Sequence, residues 1–244
     1  NQMSSKTFQH LLPQGQLESL IRSWIHDDLP GFDVGGLVVG DAPQSARLLL
    51  KSPGVLAGKP FCQAVFDYLG CTVAWEEHYE EGDYVDDDIV LPVCVAVISG
   101  PVHKLLQGER TALNALSRCS GVATQARSAV MQARALGWKG HVAGTRKTTP
   151  GFRIVEKYGL LVGGAATHRL DLSQMVMLKD NHVDFAGGIR EAITRTKKYL
   201  AENGLNLKIE IETRNLNEVK EVLEVGGIDY IMLDNMDYAT MREA

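Results

Sequence analysis

The chain has 244 residues, of which 45% are hydrophobic and 23% charged, and a formal net charge of -5. That length and apolar fraction support a sizeable core and exclude disordered, collagen-like and coiled-coil classes. The acidic balance argues against a general nucleic-acid binder or a membrane-surface binder, so any basic cluster is a local device. No segment is apolar for long enough to span a bilayer. The opening residues, NQMSSKTFQHLLPQGQ, lack the basic flank and apolar run of a secretory signal. Cys62, Cys71, Cys94 and Cys119 show no Cys-x-x-Cys spacing and read as free, buried thiols rather than a disulfide framework or zinc site. A cytoplasmic protein that binds neither membrane nor nucleic acid is the expectation.

Leu17, Leu20, Ile21, Trp24 and Ile25 fall at helical spacing, and Pro30-Gly31 closes that helix. SARLLLKSPGVLAG is rich in apolar residues, and CTVAWEEHY and DIVLPVCVAVISG read as strands. Ile89, Leu91, Val93, Val95 and Val97 alternate, as in a sheet with one wetter face. From Gly108 the texture becomes helical, ERTALNALSRCSG and then VATQARSAVMQARALG, with a break expected at Ser120-Gly121. An N-terminal α/β domain is therefore expected over 1–115 and a second α/β domain, an open sheet or a barrel, over 116–244. In the second stretch short apolar strands alternate with helices. HVAG precedes a helix over FRIVEKYG, and MVMLK precedes one over GIREAITRTKKYLAENG. LKIEIE precedes a helix over LNEVKEVLEVGG, and DYIMLDN follows. Such alternation predicts parallel βα units, as an open sheet or a barrel. The segment YATMREA enters another helix, so a barrel would be incomplete within these residues.

Basic side chains crowd the region from Gly144 to His182. GTRKTTPG carries Arg146 and Lys147, GGAATHRLD carries His168 and Arg169, and MVMLKDNH carries Lys179. Three strands end on a charged group: Lys179 after MVML, Glu212 after LKIEI and Asp234 after DYIML. In a βα fold the carboxyl ends of the strands share one side, so acids and bases would share one mouth. Any one alone would be an ordinary strand-end ion pair; the recurrence favours a site. Carboxylates beside phosphate-binding cations suit a Mg²⁺-bound diphosphate. Arg146 and Arg169, with planar forks, suit a carboxylate or phosphate. Arg110 reads as a solvated residue in a first helical turn, His182 as a supporting or structural group, and Arg153 and Lys157 as outer-face residues of their helix.

GERTALNALSRCSGVAT, GTRKTTPGFR, VEKYGLLVGGAATHR, LKDNH, IEIET and IMLDN together resemble the quinolinate phosphoribosyltransferase family, from about Gln14 to Ala244. The resemblance implies a sandwich-like N-terminal α/β domain and an incomplete, open α/β barrel of the type II phosphoribosyltransferase kind. It implies transfer from 5-phosphoribosyl 1-diphosphate to quinolinate with decarboxylation, giving nicotinate mononucleotide, diphosphate and CO2 in NAD biosynthesis, with Mg²⁺ as cofactor. It assigns Arg110, Arg146, Lys147, His168, Arg169, Lys179, Glu212 and Asp234 to substrate binding, and Lys147, Lys179, Glu212 and Asp234 to catalysis. Glu212 and Asp234 would hold the metal directly or through water. Arg110 would reach the neighbouring subunit's site in a homodimer, or in a hexamer of three dimers. The family also implies a further strand and glycine-containing phosphate loops after Ala244. Three rivals remain open: nicotinate phosphoribosyltransferase, a Schiff-base aldolase using Lys179, and a metabolite-sensing barrel without turnover.

Overall fold

The computed structural model describes Leu12, 14–86 and 88–244. The signal-free reading of the opening residues lies mostly outside that range. The chain forms two compact units that divide after His168.

In the first unit, helix α1 (Gln14–Asp28) stops just ahead of Pro30, as its spacing predicts. Its Ile21 and Ile25 enter the core, with Leu17 and Trp24 packed against it. Asp33 caps the short α2 (Val34–Val39), its Oδ1 accepting from the Gly36 N–H at 2.9 Å. Then follow β1 (Pro43–Leu50), β2 (Gly54–Val55), α3 (Lys59–Tyr68), β3 (Thr72–Trp75), β4 (Tyr84–Val85) and β5 (Val93–Pro101). Strand β5 is central, antiparallel to both β1 and β3, while β2 and β4 form a separate antiparallel pair.

Two expectations need correction here. Strand β5 begins only at Val93, so Ile89 and Leu91 lie outside it. The even alternation also fails, because Val95 and Ala96 are both buried. The register against β1 shifts between Leu48 and Leu49, opposite this point. An irregularity of that kind places an extra residue on one strand and breaks the side-to-side alternation.

The break expected at Ser120-Gly121 is likewise absent: α4 runs without interruption from Val102 to Ala135. The small residues serve close approach instead. Ser120 Oγ accepts from the Ala57 N–H at 3.0 Å and donates to the Ala57 carbonyl at 2.9 Å, which ties the segment before α3 onto α4. At Gly58, with φ of 101°, an added Cβ would stand 2.8 Å from Cys119 Cβ. Helix α5 (Arg153–Val162) lies equally close to α4, since a Cβ on Gly163 would meet the Ala123 carbonyl at 2.3 Å.

Glu81 is a buried carboxylate whose oxygens accept from the Gly58 and Lys59 N–H groups at 2.6 and 3.0 Å, at the start of α3. Burial pushes its pKa up to about 7, against the opposing pull of those two N–H groups. A carboxyl whose folded pKa lies above its unfolded value near 4.5 contributes stability at low pH that is lost as pH rises toward 7. Glu81→Gln is therefore expected to flatten the fall in melting temperature between pH 5 and 7, read by thermal scans across that window. An unchanged slope would assign the pH dependence to other groups.

The second unit contains β6 (Val176–Leu178), α6 (Asp180–Ala186), α7 (Ile189–Glu202), β7 (Ile209–Thr213), α8 (Leu216–Val225), β8 (Tyr230–Leu233) and α9 (Tyr238–Glu243). The strands form a parallel sheet in the order β6-β7-β8. Ile209 and Ile211 pack with Ile193 of α7 and Val222 of α8 in one apolar cluster. The period of two along a strand therefore turns Glu210 and Glu212 to the opposite face. Helix α6, directly after Lys179, is an element that the sequence pattern did not separate.

All four cysteines are free thiols; Cys62, Cys71 and Cys119 are buried and Cys94 is partly so. No helix among the described residues is long and apolar enough to cross a membrane.

Candidate active site

The turn GTRKTTPG begins where Ala143 and Ala166 form a single parallel bridge, the place of the expected HVAG strand. Helix α5 then organises the turn from below. Glu156 accepts from the Thr149 hydroxyl at 2.7 Å and from the Thr149 N–H at 3.0 Å. Arg118 of α4 donates to the same carboxylate at 2.8 Å. Burial pushes the Glu156 carboxyl up, but the Thr149 hydrogen bonds and the Arg118 guanidinium outweigh it and hold the pKa below the usual value. Arg153 Nε donates to the Thr148 hydroxyl at 3.2 Å. With Thr148 and Thr149 held, Arg146 and Lys147 sit at the tip of a braced turn.

The two basic residues differ in setting. Lys147 is exposed and Arg146 is partly buried, and the Arg146 Nε is buried without a hydrogen-bond partner. A buried donor of this kind costs free energy unless something accepts from it, which fits an anion held at the turn. His168, on the second basic turn, has φ of 55°, and the Thr167 hydroxyl donates to its carbonyl at 3.0 Å. The other non-glycine residue with positive φ among the described residues is Asn235, at 52°, next to Asp234. Left-handed backbone at non-glycine residues is uncommon and gathers at functional sites. Both instances here fall on residues at or beside predicted site groups.

In the second unit, register places Leu178 opposite Ile211 and Thr213 opposite Leu233. Lys179 and Glu212 therefore stand level at the carboxyl ends of β6 and β7, and Asp234 follows at the end of β8. Lys179 Nζ donates to Glu212 Oε1 at 2.7 Å, the lysine side chain 44% exposed and the glutamate 9%. The Lys179 N–H donates to His182 Nδ1 at 3.1 Å, so His182 satisfies the start of α6, the supporting role expected of it. Asn235 donates to Asp234 Oδ2 at 3.1 Å, and the Asp234 N–H donates to the Thr213 carbonyl at 2.9 Å. Arg169 is 6% exposed and donates to the Met175 carbonyl at 3.4 Å. The Arg110 side chain, on α4, is 75% exposed and meets the adjacent Glu109 at 3.6 Å.

Among the described residues no group of three or more His, Cys, Asp or Glu side chains could hold a metal ion by itself. Glu212 and Asp234 at neighbouring strand ends fit the donor set of a Mg²⁺ that keeps water and substrate phosphate in its shell, since Mg²⁺ commonly takes only one or two carboxylates.

Lys157 corrects an expectation. Read as an outer-face residue, it is 2% exposed, and its ammonium donates to the Gly144 carbonyl at 3.3 Å and to the Thr167 carbonyl. The sequence signal available was weak: Glu156 and Lys157 sit between Val155 and Tyr158, residues of the buried face, where charged groups are rare. Glu156 and Arg118, which brace the turn, and Glu210, 5% exposed beside Glu212, were also missed.

Comparison with known proteins agrees across both units. The family model for the quinolinate phosphoribosyl transferase N-terminal domain matches residues 33–120, and that for its C-terminal domain matches residues 122–244. The two matches meet at Gly121, inside α4. The chain is 50% identical over 233 residues to nicotinate-nucleotide pyrophosphorylase [carboxylating] of Rattus norvegicus, covering 96% of this chain and 75% of the rat protein. With the Homo sapiens protein of the same name it shares 52% identity over 226 residues, covering 92% and 72%. The crystal structure of NadC from Streptococcus pyogenes superposes with a TM-score of 0.83 at 32% identity, over 95% of this chain and 79% of that one.

Proposed function

This chain belongs to the quinolinate phosphoribosyl transferase family, and we propose that its two basic turns and two strand-end carboxylates carry the family's reaction. The fold is the two-domain α/β fold of that family, with open sheets in place of a closed barrel. The enzyme transfers the phosphoribosyl group of 5-phosphoribosyl 1-diphosphate to quinolinate with loss of CO2, giving nicotinate mononucleotide for NAD biosynthesis. The observation that carries the assignment is the match of both domain models, together spanning nearly all residues from 33 to 244.

In this reading Arg146, Lys147 and Arg169 neutralise the adjacent carboxylates of quinolinate, with His168 as a further donor. The partner-free Arg146 Nε supports a bound anion there. The bond from ribose C1 to the diphosphate oxygen breaks as the pyridine nitrogen forms its bond to C1. Glu212 and Asp234 stabilise the positive charge that gathers on the ribose, and Lys179 fixes Glu212 in place. Glu212 and Asp234 would hold a Mg²⁺, directly or through water, and that ion would supply charge neutralisation for the diphosphate. The alkylated nitrogen is then cationic and stabilises by its charge the electron pair left on the neighbouring ring carbon when CO2 departs; that carbon then takes up a proton. No covalent bond to the protein is needed. Four free thiols favour a reducing compartment such as the cytoplasm.

An assay with quinolinate, 5-phosphoribosyl 1-diphosphate and Mg²⁺ should release CO2 and diphosphate in equal amounts. Consumption of nicotinate without CO2 would favour the nicotinate-using rival instead.

The enzyme would act as a homodimer, alone or within a hexamer of three dimers, with Arg110 completing the neighbouring subunit's site. Its exposure and its weak pairing with the adjacent Glu109 support a role outside its own subunit. Arg110→Ala and Lys179→Ala should each be inactive, and mixing them should restore part of the parent activity. One site of each mixed dimer would then combine an intact pocket with a donated arginine. Heterodimers that form but stay inactive would return Arg110 to its own subunit's site or to a structural role.

A further inference from the structure

Lys157 is a buried cation that the reaction as described does not use. It is 2% exposed, and its ammonium donates to the carbonyls of Gly144 and Thr167. Those two residues begin one basic turn and end the approach to the other: Gly144 is two residues before Arg146, and Thr167 is one before His168. Both carbonyls lie just beyond the Ala143–Ala166 bridge, where the backbone pairing of the two segments has ended. A single side chain from α5 therefore continues the pairing that the backbone abandons. Glu156 and Arg153 of the same helix hold the far side of the first turn through Thr149 and Thr148.

Among the described residues no carboxylate pairs with the Lys157 ammonium. Burial lowers its pKa, and the neighbouring Arg153 and Arg146 guanidinium groups lower it further. An unpaired buried ammonium is costly, and carbonyl dipoles offset only part of that cost. A structural tie between two carbonyls needs N–H donors but not a net charge. A bound dianion beside Arg146 would supply the missing negative charge.

The geometry points to Lys157 as a positioning residue for quinolinate: it fixes the spacing of the Arg146–Lys147 turn and the Thr167–His168 turn, and its buried charge is compensated by the bound dicarboxylate. This rests on the placement of quinolinate at Arg146. Through its two carbonyls Lys157 sets where the substrate-binding side chains stand and need not itself touch substrate.

The test uses the full-length enzyme with Lys157→Met, a chain of nearly equal length without charge or donors. Quinolinate binding is read by titration, KM and kcat by steady-state assay, and folding by melting temperature with and without quinolinate. Expected is a rise of about tenfold or more in Kd and KM for quinolinate, a smaller change in kcat, and a reduced thermal shift on adding quinolinate. Lys157→Gln retains donors for the carbonyls but no charge, and should fall between the parent and the methionine variant. It also carries the test if the methionine variant does not fold. Parent values of Kd and KM in either folded variant, whatever its melting temperature, overturn the inference. Arg146→Ala separates the two levels: if it also binds quinolinate normally, the site placement itself is wrong. If it alone loses binding, only the role of Lys157 fails.

Discussion

Glu212→Gln is expected to lower kcat by about 10²–10³ while leaving the Kd for quinolinate within about twofold of the parent. The glutamate stands at the carboxyl end of β7, on the face of the strand opposite Ile209 and Ile211, with a side chain only 9% exposed. Its partner Lys179 holds it at 2.7 Å. Glutamine keeps the shape and one acceptor oxygen for that lysine, and Lys179 is 44% exposed, so water can meet its remaining donors. What disappears is the negative charge in a sheltered place, where charge stabilisation is worth more than in water. The ribose gains positive charge only as the diphosphate leaves, so the loss falls on the transition state and therefore on kcat. Asp234→Asn should act in the same direction. Steady-state kinetics at several Mg²⁺ concentrations, together with a quinolinate titration, separate the roles. Unchanged kcat in both variants would sink the assignment, and loss of quinolinate binding would move these acids to the other substrate.

Arg146→Ala is expected to weaken quinolinate binding by on the order of a hundredfold or more. An arginine fork offers a carboxylate two charge-assisted hydrogen bonds of about 1.5–3 kcal/mol each. The turn is braced before substrate arrives, through Thr149 on Glu156 and Thr148 on Arg153. Little ordering cost therefore offsets the contacts. The buried, partner-free Nε shows that the guanidinium is not fully satisfied by the protein. Removing it should leave melting temperature near the parent value in the absence of ligand, because among the described residues no hydrogen bond of its side chain is lost. Titration with quinolinate decides, and Arg169→Ala provides the comparison: Arg169 is 6% exposed and already bonded within its own unit, so its loss should cost stability as well as affinity. Parent-like binding by Arg146→Ala would remove this turn from the substrate site.

Local pattern carried much of the reading because it depends on near neighbours in the chain. The apolar spacing from Leu17 to Ile25 gives α1, and Pro30 marks its end. The short runs MVML, IEIE and YIML are strands, and parallel connection puts Lys179, Glu212 and Asp234 at their carboxyl ends. TRKTTPG and LKDNH carry the family resemblance without reference to the fold. Other features depend on residues far away in sequence. Ser120-Gly121 looks like a break in isolation, yet α4 runs through it because Ser120 bonds Ala57 and the small side chains admit a neighbouring segment. Val95 and Ala96 are both buried because the register against β1 shifts at Leu48/Leu49, a property of the pair and not of either strand.

The clearest division lies along FRIVEKYG. Its helical period was legible, but the same period gave no reason to bury Lys157, since a lysine is ordinarily solvated. Only the folded chain brings the carbonyls of Gly144 and Thr167 within reach of its ammonium, 13 and 10 residues away. The sequence by itself determined which elements form and which charged groups end them, because propensity, period and motif act over short separations. The tertiary structure decided which of those charges are buried, braced or left unsatisfied, because hydrogen-bond partners and desolvation are set by segments that meet only on folding.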